Sequence, residues 1–141
     1  MKPRLLISLP FLAVGLSVLS ACSSTTGISA IAQDANPADQ WPGTGEQLEE
    51  LDAQSVRWLT TNENADYFVA TSQDQKSVCL FKFTKNPDTS NVGGCGAAGG
   101  SDVIVDISAP GARMMLVRSE AETSALEAAG WKKIHENILT F

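Results

Sequence analysis

A chain of 141 residues is long enough for one small domain with a leader or a tether, and it is too short for two ordinary domains. Its 10 basic and 16 acidic residues give a formal net charge of −6, which argues against binding to nucleic acid or to anionic lipid headgroups through charge. We therefore expect no nucleic acid among its partners.

The first 22 residues have the pattern of an export signal. Lys2 and Arg4 form a short basic head, an apolar run follows over 5–19, and small residues lead to Cys22. The apolar run is too short to cross a bilayer comfortably, which favours a cleaved leader. The alternatives are an uncleaved anchor and a secreted protein in which Cys22 has no special role.

Leu19, Ser20, Ala21 and Cys22 resemble the lipobox of bacterial lipoproteins. The resemblance implies that residues 1–21 are a signal peptide, cut just before Cys22, and that Cys22 becomes the lipidated N-terminus. It also implies a protein anchored in the cell membrane, on the extracytoplasmic face, through acyl chains such as palmitate. Because two acyl chains hold a protein stably where one holds it only marginally, a diacylated cysteine needs no transmembrane helix.

Two further cysteines remain, an even number in a chain exported to an oxidising compartment. We therefore expect a disulfide between Cys79 and Cys95, which would stabilise the fold by about 3 kcal/mol in the chain-entropy model. The alternative makes both cysteines metal ligands together with His135. The sequence has no Cys-x-x-Cys pair and a single histidine, which cannot complete a usual zinc set, so we expect neither a metal nor another cofactor.

The segment 22–45 is rich in small and polar residues and in glycine and proline. Such a composition cannot bury enough apolar surface to offset the entropy of ordering, and it predicts a flexible tether. About 20 residues of tether would hold the domain about 25 Å from the lipid on average. Trp41, beside Pro42 and Gly43, marks either a contact site or the place where the tether docks on the domain.

Residues 46–141 predict one α+β domain: a small, mostly antiparallel, twisted sheet of five to seven strands, with one short helix at its start and one near its end. Thr44 and Gln47 fit a capping box that opens the first helix, 46–53. Alternating apolar residues then predict strands over 55–60, 67–71 and 77–83.

Five glycines fall within the eight positions 93–100. A glycine-rich loop can cradle phosphate, but no Lys-Ser/Thr pair follows this one and no helix pattern opens directly after it. We predict instead an irregular, floppy loop that the disulfide of Cys79 and Cys95 ties to the third strand.

The last part of the chain predicts two strands, a helix and a final strand. The strands cover 102–108 and 112–118, and strict alternation in the first places Asp102 and Asp106 on one face. The remaining signals are a second capping box at Ser119 and Glu122, a helix that Gly130 ends, and a strand over 131–141 with a bend near Asn137.

From about residue 51 onward the chain is similar to small envelope lipoproteins of Gram-positive actinobacteria. The similarity lies in the order of several short segments: Ser55-Val56-Arg57-Trp58-Leu59, Tyr67-Phe68-Val69-Ala70, Val78-Cys79-Leu80, Gly94-Cys95, Gly130-Trp131 and Asn137-Ile138-Leu139. It implies one exported domain with a disulfide, and it brings no assigned function.

The chemistry-bearing residues do not form a recognisable catalytic pattern. A hydrolase needs a nucleophile, a base and an oxyanion site held together. His135 lies on a predicted strand among charged residues, where a solvated edge position explains it. Asp102 and Asp106, with Asp88, could offer oxygen ligands to calcium, but their spacing lacks the pattern of a dedicated calcium loop.

We therefore expect a lipid-anchored, non-catalytic binding or accessory domain of the cell envelope. Its expected partners are the membrane, through the lipid on Cys22, and another envelope protein or a cell-wall component. The alternative is a small envelope hydrolase that uses His135 or the carboxylates of Asp102 and Asp106. A histidine within hydrogen-bond reach of an acid or a hydroxyl, at the floor of a cleft, would favour the hydrolase.

Overall fold

The structure, a computed structural model, describes residues 26–141, which form two four-stranded antiparallel sheets. The first sheet contains β1 (Arg57–Asn62), β2 (Ala65–Thr71), β3 (Ser77–Thr84) and β4 (Val92–Ala97), paired in that order. The second contains β5 (Val103–Ala109), β6 (Ala112–Val117), β7 (Lys132–His135) and β8 (Ile138–Thr140), in the spatial order β5-β6-β8-β7. No helix within 26–141 is both long enough and apolar enough to span a bilayer.

The predicted α+β class is confirmed, but the prediction of one sheet with five to seven strands is wrong. The glycine-rich segment contributes a strand of its own, β4, and the predicted strand over 131–141 splits into β7 and β8. Asn137 holds the turn between these two strands, since its buried side-chain Nδ2 donates to the carbonyl of Val117 at 3.0 Å and to Ser119 Oγ at 3.1 Å.

The main core lies between the two sheets, where alternate side chains of paired strands meet. Eight of its members are at most 1% exposed, among them Val69, Leu80, Met114, Leu116 and Ile138. Each fully buried side chain of this kind contributes about 1.5–3 kcal/mol relative to an exposed one. The contacts between the sheets are therefore a principal source of stability.

The prediction that 93–100 is a floppy loop is wrong for β4, where glycine permits close packing on both sides. A Cβ at Gly93 would overlap the ring of Phe81, and a Cβ at Gly96 would overlap the backbone carbonyl of Ile104 in β5. The missing side chains let the edge of the first sheet lie directly against the second. Composition alone does not reveal this close approach of β4 to β5, because the two strands belong to different sheets.

The outer face of each sheet is covered. On the first sheet Phe68, Phe81 and Phe83 form an aromatic layer, and the ring of Trp41 lies edge-on to it, 4.9 Å from Phe81 and 5.0 Å from Phe83 between centroids. On the second sheet the helix α2 (Ser124–Ala128) and its flanking residues cover a smaller cluster, formed by Met115, Val117, Trp131 and Leu139. The sandwich thus has apolar packing on both sides of each sheet.

The predicted tether, 22–45, is wrong over its described part, 26–45, which packs onto the domain. Ile28 is fully buried in the main core. The carbonyl of Gln33 accepts from Arg57 Nε at 3.2 Å, and Asp39 Oδ1 accepts from the backbone N–H of Trp58 at 2.7 Å. A few apolar and charged residues therefore dock a segment whose average composition resembles a linker.

Both helices are shorter than predicted. The capping box at Thr44 is confirmed, since its Oγ1 accepts from Gln47 N and Gln47 Oε1 accepts from Thr44 N, but α1 covers only Gly45–Glu49. The second capping box does not form. Ser119 Oγ instead accepts from Ser29 N at 2.9 Å and from the Asn137 side chain, so α2 begins later, after Thr123.

Candidate functional site

An open cleft of about 350 Å³ lies at one end of the sandwich, between the two sheets. Tyr67 and Lys82 line it from the first sheet and are directly paired between β2 and β3. Met114, Thr140 and Lys132 line it from the second sheet, and Thr140 pairs with both of the others. Since directly paired residues point to the same face, the cleft continues the space that the main core occupies.

The rim of the cleft consists of turns and strand ends. The β1–β2 turn supplies Asn62 and Glu63, with φ of 46° at Glu63 and 62° at Asn64, as a tight two-residue hairpin turn requires. Glu63 is the one acidic side chain among the lining residues. The other lining residues are Gly111, Ala112, Arg113, Gly130 and Phe141.

Lys82 and Lys132 line the cleft from the faces that carry Tyr67 and Thr140. Arg113 borders it as well, but it precedes Met114 on β6, so its side chain points to the opposite face of the second sheet. Within the described part of the chain the salt bridges lie elsewhere, between Arg57 and Asp39 and between Lys85 and Asp66. Lys82 Nζ donates to the carbonyl of Gly111 over a long 3.5 Å. The cleft therefore holds positive charge that no carboxylate of residues 26–141 pairs within 4.0 Å.

The guanidinium of Arg113 lies over two aromatic rings that also contact each other. Its central carbon lies 5.1 Å from the centroid of Trp131 and 4.7 Å from that of Phe141. The backbone also joins these residues, because Phe141 N donates to the carbonyl of Arg113 at 3.0 Å. Because the centroids of Trp131 and Phe141 are 5.4 Å apart, both rings lie on the same side of the guanidinium, and the cation–π contacts hold it at the outer face of the second sheet.

Tyr67 supplies a hydroxyl at the inner end of the cleft. Its side chain is buried, at 2% exposure. Burial raises the pKa of Tyr67 above its ordinary value of 10.0, and the nearby carboxylate of Glu63 raises it further. The phenol is therefore protonated at neutral pH and can donate a hydrogen bond to a bound group.

His135, the sequence-predicted catalytic candidate, is half-buried at the end of β7 and is not among the residues that line the cleft. Its Nδ1 accepts from the backbone N–H of Asn137 at 3.2 Å. Burial lowers the pKa of His135 below 6.5, and the carboxylate of Glu136 partly opposes that shift. The imidazole is therefore neutral at pH 7, and its described hydrogen bond is structural.

The two carboxylates of the hydrolase alternative are not brought together with His135. Asp106 lies on β5, and β6 and β8 separate β5 from β7. The pairing shifts between Val103 and Val105, which breaks the alternation that would place Asp102 and Asp106 on one face. Asp88 lies in the other sheet's β3–β4 connection. Within the part of the chain that the structure describes, no cluster of three or more His, Cys, Asp or Glu side chains could hold a metal.

The disulfide between Cys79 and Cys95 is confirmed. The two cysteines lie opposite each other on β3 and β4, and Cys79 belongs to the cluster beneath Trp41. The bond fastens the glycine-rich edge strand to its neighbour on the outer face, away from the cleft. Cys22, the predicted lipidation site, lies outside the described residues.

No family model, curated protein or solved structure matches the chain. The cleft's own chemistry is thus the ground for inferring a function. Sequence reasoning missed its residues, although one signal was present: Val78, Leu80 and Lys82 alternate along one strand, so Lys82 lies on the core-facing side. The contribution of Lys132 depends on contacts between distant strands.

Proposed function

We propose that this chain is a lipoprotein of the cell envelope, anchored by lipid on Cys22 at the extracytoplasmic face, whose domain is a non-catalytic binding module. The observation that carries the binding role is the open cleft lined by Lys82 and Lys132, which form no salt bridge within residues 26–141. The lipobox resemblance supports the anchor, and the disulfide of Cys79 and Cys95 fits an oxidising compartment. The partners proposed are the membrane and an envelope component that reaches the cleft.

The geometry favours binding over the hydrolase alternative. The residues that line the cleft include Thr140 but no serine, cysteine or histidine that a base-activated nucleophile would use. Nδ1 of His135 is engaged with the backbone of its own hairpin. A hydrolase would need a base beside a nucleophile in the cleft.

The same proposal places the domain close to the membrane. Thr26 is buried, and the carbonyl of Gly27 accepts from Ser119 N at 2.8 Å. Only four residues lead from Cys22 to Thr26, and four residues span at most about 14 Å. The lipid would therefore hold the docked end of the domain near the headgroups, in place of the longer distance that a free tether would give.

The cleft would then face away from the membrane. Gly27 docks just beyond the last residue of β6, whereas the cleft lies at the first residues of that strand. Six strand residues at about 3.3 Å each separate the two ends by about 20 Å. A ligand would thus approach from the side opposite the anchor.

Metabolic labelling tests the anchor. We expect cells that express the full-length chain to incorporate radiolabelled palmitate into the wild type and the Ser23→Ala control, and to incorporate none into Cys22→Ala. Label that persists in Cys22→Ala contradicts the lipoprotein proposal, as does a wild-type protein without label.

Fluorescence quenching tests the orientation. A dye on Gln54→Cys, at the docked end, should be quenched by headgroup-attached quenchers in vesicles that carry the lipoprotein, whereas a dye on Asn62→Cys, at the cleft end, should not. Equal quenching at both positions would show that the domain has no fixed orientation.

A further inference from the structure

We propose that a second pocket, at the docked end of the domain, binds a primary ammonium group through the carboxylate of Asp52 and the hydroxyl of Thr71. This pocket has a volume of about 230 Å³ and lies where the segment that follows Thr26 crosses the end of the first sheet. The inference goes beyond the cleft, which lies at the other end of the sandwich. One of the two sources of the ligand, a lipid headgroup, depends on the proposed anchor.

One wall of the pocket is a hydrogen-bonded cluster. Ser55 Oγ accepts from the backbone N–H of Thr71 at 2.8 Å and donates to the carbonyl of Asp52 at 2.6 Å. The backbone N–H of Asp52 in turn donates to the carbonyl of Thr71 at 2.9 Å. All three residues line the pocket, so the wall holds Asp52 beside Thr71 before any ligand binds.

The hydroxyl of Thr71 is the first argument. Thr71 pairs with Val78, so its side chain lies on the inner face of the first sheet, towards the core against which Ile31 packs from the other side of the pocket. The residue is 2% exposed, and its Oγ1 makes no hydrogen bond within residues 26–141. Since nearly all buried polar groups are hydrogen-bonded, a buried hydroxyl without a partner in a pocket wall indicates a bound group that supplies one.

The carboxylate of Asp52 is the second argument, because Asp52 is the one charged residue that lines the pocket. Its Oδ1 accepts from Gln54 N at 3.0 Å, and neither of its oxygens lies within 4.0 Å of a basic side chain in the described part of the chain. Arg57, which donates to the carbonyl of Gln54, pairs with Asp39 instead. Asp52 can therefore accept a charge-assisted hydrogen bond from a cationic ligand.

The charge around the pocket is the third argument. Backbone hydrogen bonds bring four segments together at this end of the domain: 49–54, 72–76, 98–102 and 118–123. They carry seven acidic residues and two basic ones, Lys76 and Arg118. Arg118 already donates to the carbonyls of Ser101 and Ala98. The excess of carboxylates creates a local field that attracts cations to the pocket.

The size and the acceptors of the pocket define its ligand. A volume of about 230 Å³ is below the range of drug-sized pockets, so the ligand is small. A primary ammonium group offers three donors and one positive charge, which match the carboxylate, the hydroxyl and the side-chain amides of Gln54 and Gln75. It can belong to a free amine or to phosphatidylethanolamine, whose headgroup is within reach because Thr26, four residues from Cys22, also lines the pocket.

Nuclear magnetic resonance titration of the isotope-labelled lipoprotein in neutral detergent tests the proposal. We expect ethanolamine, protonated at neutral pH, to shift the amide resonances of Thr71 and Gln54 saturably, with a Kd below about 10 mM. Ethylene glycol has no charge and choline has no N–H donor, so each should bind at least about tenfold more weakly.

A second arm separates the two sources of the ligand. The lipoprotein is placed in nanodiscs of phosphatidylethanolamine or of phosphatidylcholine. Shifts of the same amides in the first lipid and not in the second assign the lipid headgroup as the ligand. Shifts that appear only when free ethanolamine is added assign a soluble amine.

Matched variants locate the site. Asp52→Asn removes the charge and keeps an acceptor for Gln54 N, and it should weaken ethanolamine binding about tenfold or more. Thr71→Val removes only the unpartnered hydroxyl; binding should weaken about threefold to tenfold, while the melting temperature stays at or above that of the wild type. Asp88→Asn removes the same charge in the β3–β4 connection, at the opposite end, and should change the Kd by less than about twofold.

Two results would overturn the proposal. One is the absence of any saturable shift up to about 50 mM ethanolamine, as expected of a pocket that holds water alone. The other is binding that Asp52→Asn and Thr71→Val leave unchanged. Failure of the anchor is a separate outcome: a protein that carries no palmitate label but binds ethanolamine keeps the ammonium site and loses only the headgroup as its source.

Discussion

Tyr67 and Lys82 lie directly opposite each other on β2 and β3, at the point where the inner face of the first sheet changes from closed core to open cleft. Two and four residues before Lys82 on the same face, Leu80 and Val78 are fully buried. The cleft is therefore an extension of the core rather than a feature of a loop. Side chains at its rim can be changed without disturbing the packed layer behind them.

Tyr67 is the single tyrosine of the chain, so its ionisation can be followed without assignment. Because burial and the carboxylate of Glu63 raise its pKa, we expect the tyrosinate absorbance of the folded protein to have a midpoint above pH 10.0. The unfolded chain loses this proton first as the pH rises. The contribution of Tyr67 to the free energy of unfolding should thus be complete below about pH 10 and fall as the pH rises through the folded pKa.

The Tyr67 prediction has an internal control. Glu63→Gln should lower the midpoint of the Tyr67 titration, because it removes one of the two causes of the raised pKa. Glu136→Gln, at the β7–β8 turn, should leave the midpoint unchanged. Circular dichroism should confirm that each protein is folded across the titration. A native midpoint at or below pH 10.0 would contradict the burial of this hydroxyl.

Gly96→Ala should lower the free energy of unfolding by about 1–3 kcal/mol, because the new Cβ overlaps the carbonyl of Ile104 and forces β4 away from β5. Gly99→Ala is the matched control, since a Cβ there meets nothing within 4 Å. That control should change stability by less than about 1 kcal/mol. Urea unfolding of both variants measures the difference, and equal effects would show that β4 does not need glycine at position 96.

Local signals in the sequence predicted local structure well. The capping box of Thr44 and Gln47 forms because both partners lie within one turn. The capping box of Ser119 fails because its hydroxyl is engaged by Ser29 and Asn137, which are 90 and 18 residues away in the chain. A short motif cannot report such competition.

Composition was the weaker guide to strands and linkers. The glycines of β4 indicated a loop, but pairing with β3 and contact with β5 make the segment a strand. The segment 26–45 indicated a tether because its average apolar content is low, yet Ile28 and Trp41 each enter an apolar cluster. Burial depends on individual residues that find distant partners, and an average over the segment hides them. The cleft was missed for the same reason.

The disulfide should contribute a large part of the stability of so small a domain. Replacing both cysteines, Cys79→Ala with Cys95→Ala, should lower the free energy of unfolding by roughly 2–4 kcal/mol, because the unfolded chain gains freedom when the loop opens. A reducing agent should lower the free energy of unfolding of the wild type by a similar amount and leave that of the double variant unchanged. A reducing agent without effect on the wild type would contradict a stabilising role for this bond.

Trp41 and Trp58 offer a direct comparison between a docked residue and an exposed one. The Trp41 ring contacts Phe68, Phe81 and Phe83, and its Nε1 donates to the carbonyl of Thr44 at 3.0 Å. Trp58 is 38% exposed on the edge strand β1. The Trp41 ring has more buried contacts than the Trp58 ring, so its removal loses more packing. Trp41→Ala should therefore destabilise the domain by about 2–3 kcal/mol, and Trp58→Ala by about 1 kcal/mol or less.

The two tryptophan variants should also differ in how readily the segment 33–45 is cleaved by a protease. Loss of the Trp41 ring should free the segment around it, so limited proteolysis should cut Trp41→Ala within residues 33–45 at a rate well above that of the wild type and of Trp58→Ala. Mass spectrometry of the fragments locates the cut. If both variants are cleaved at the wild-type rate, the segment is held by its polar contacts at Gln33 and Asp39 and the aromatic contact is secondary.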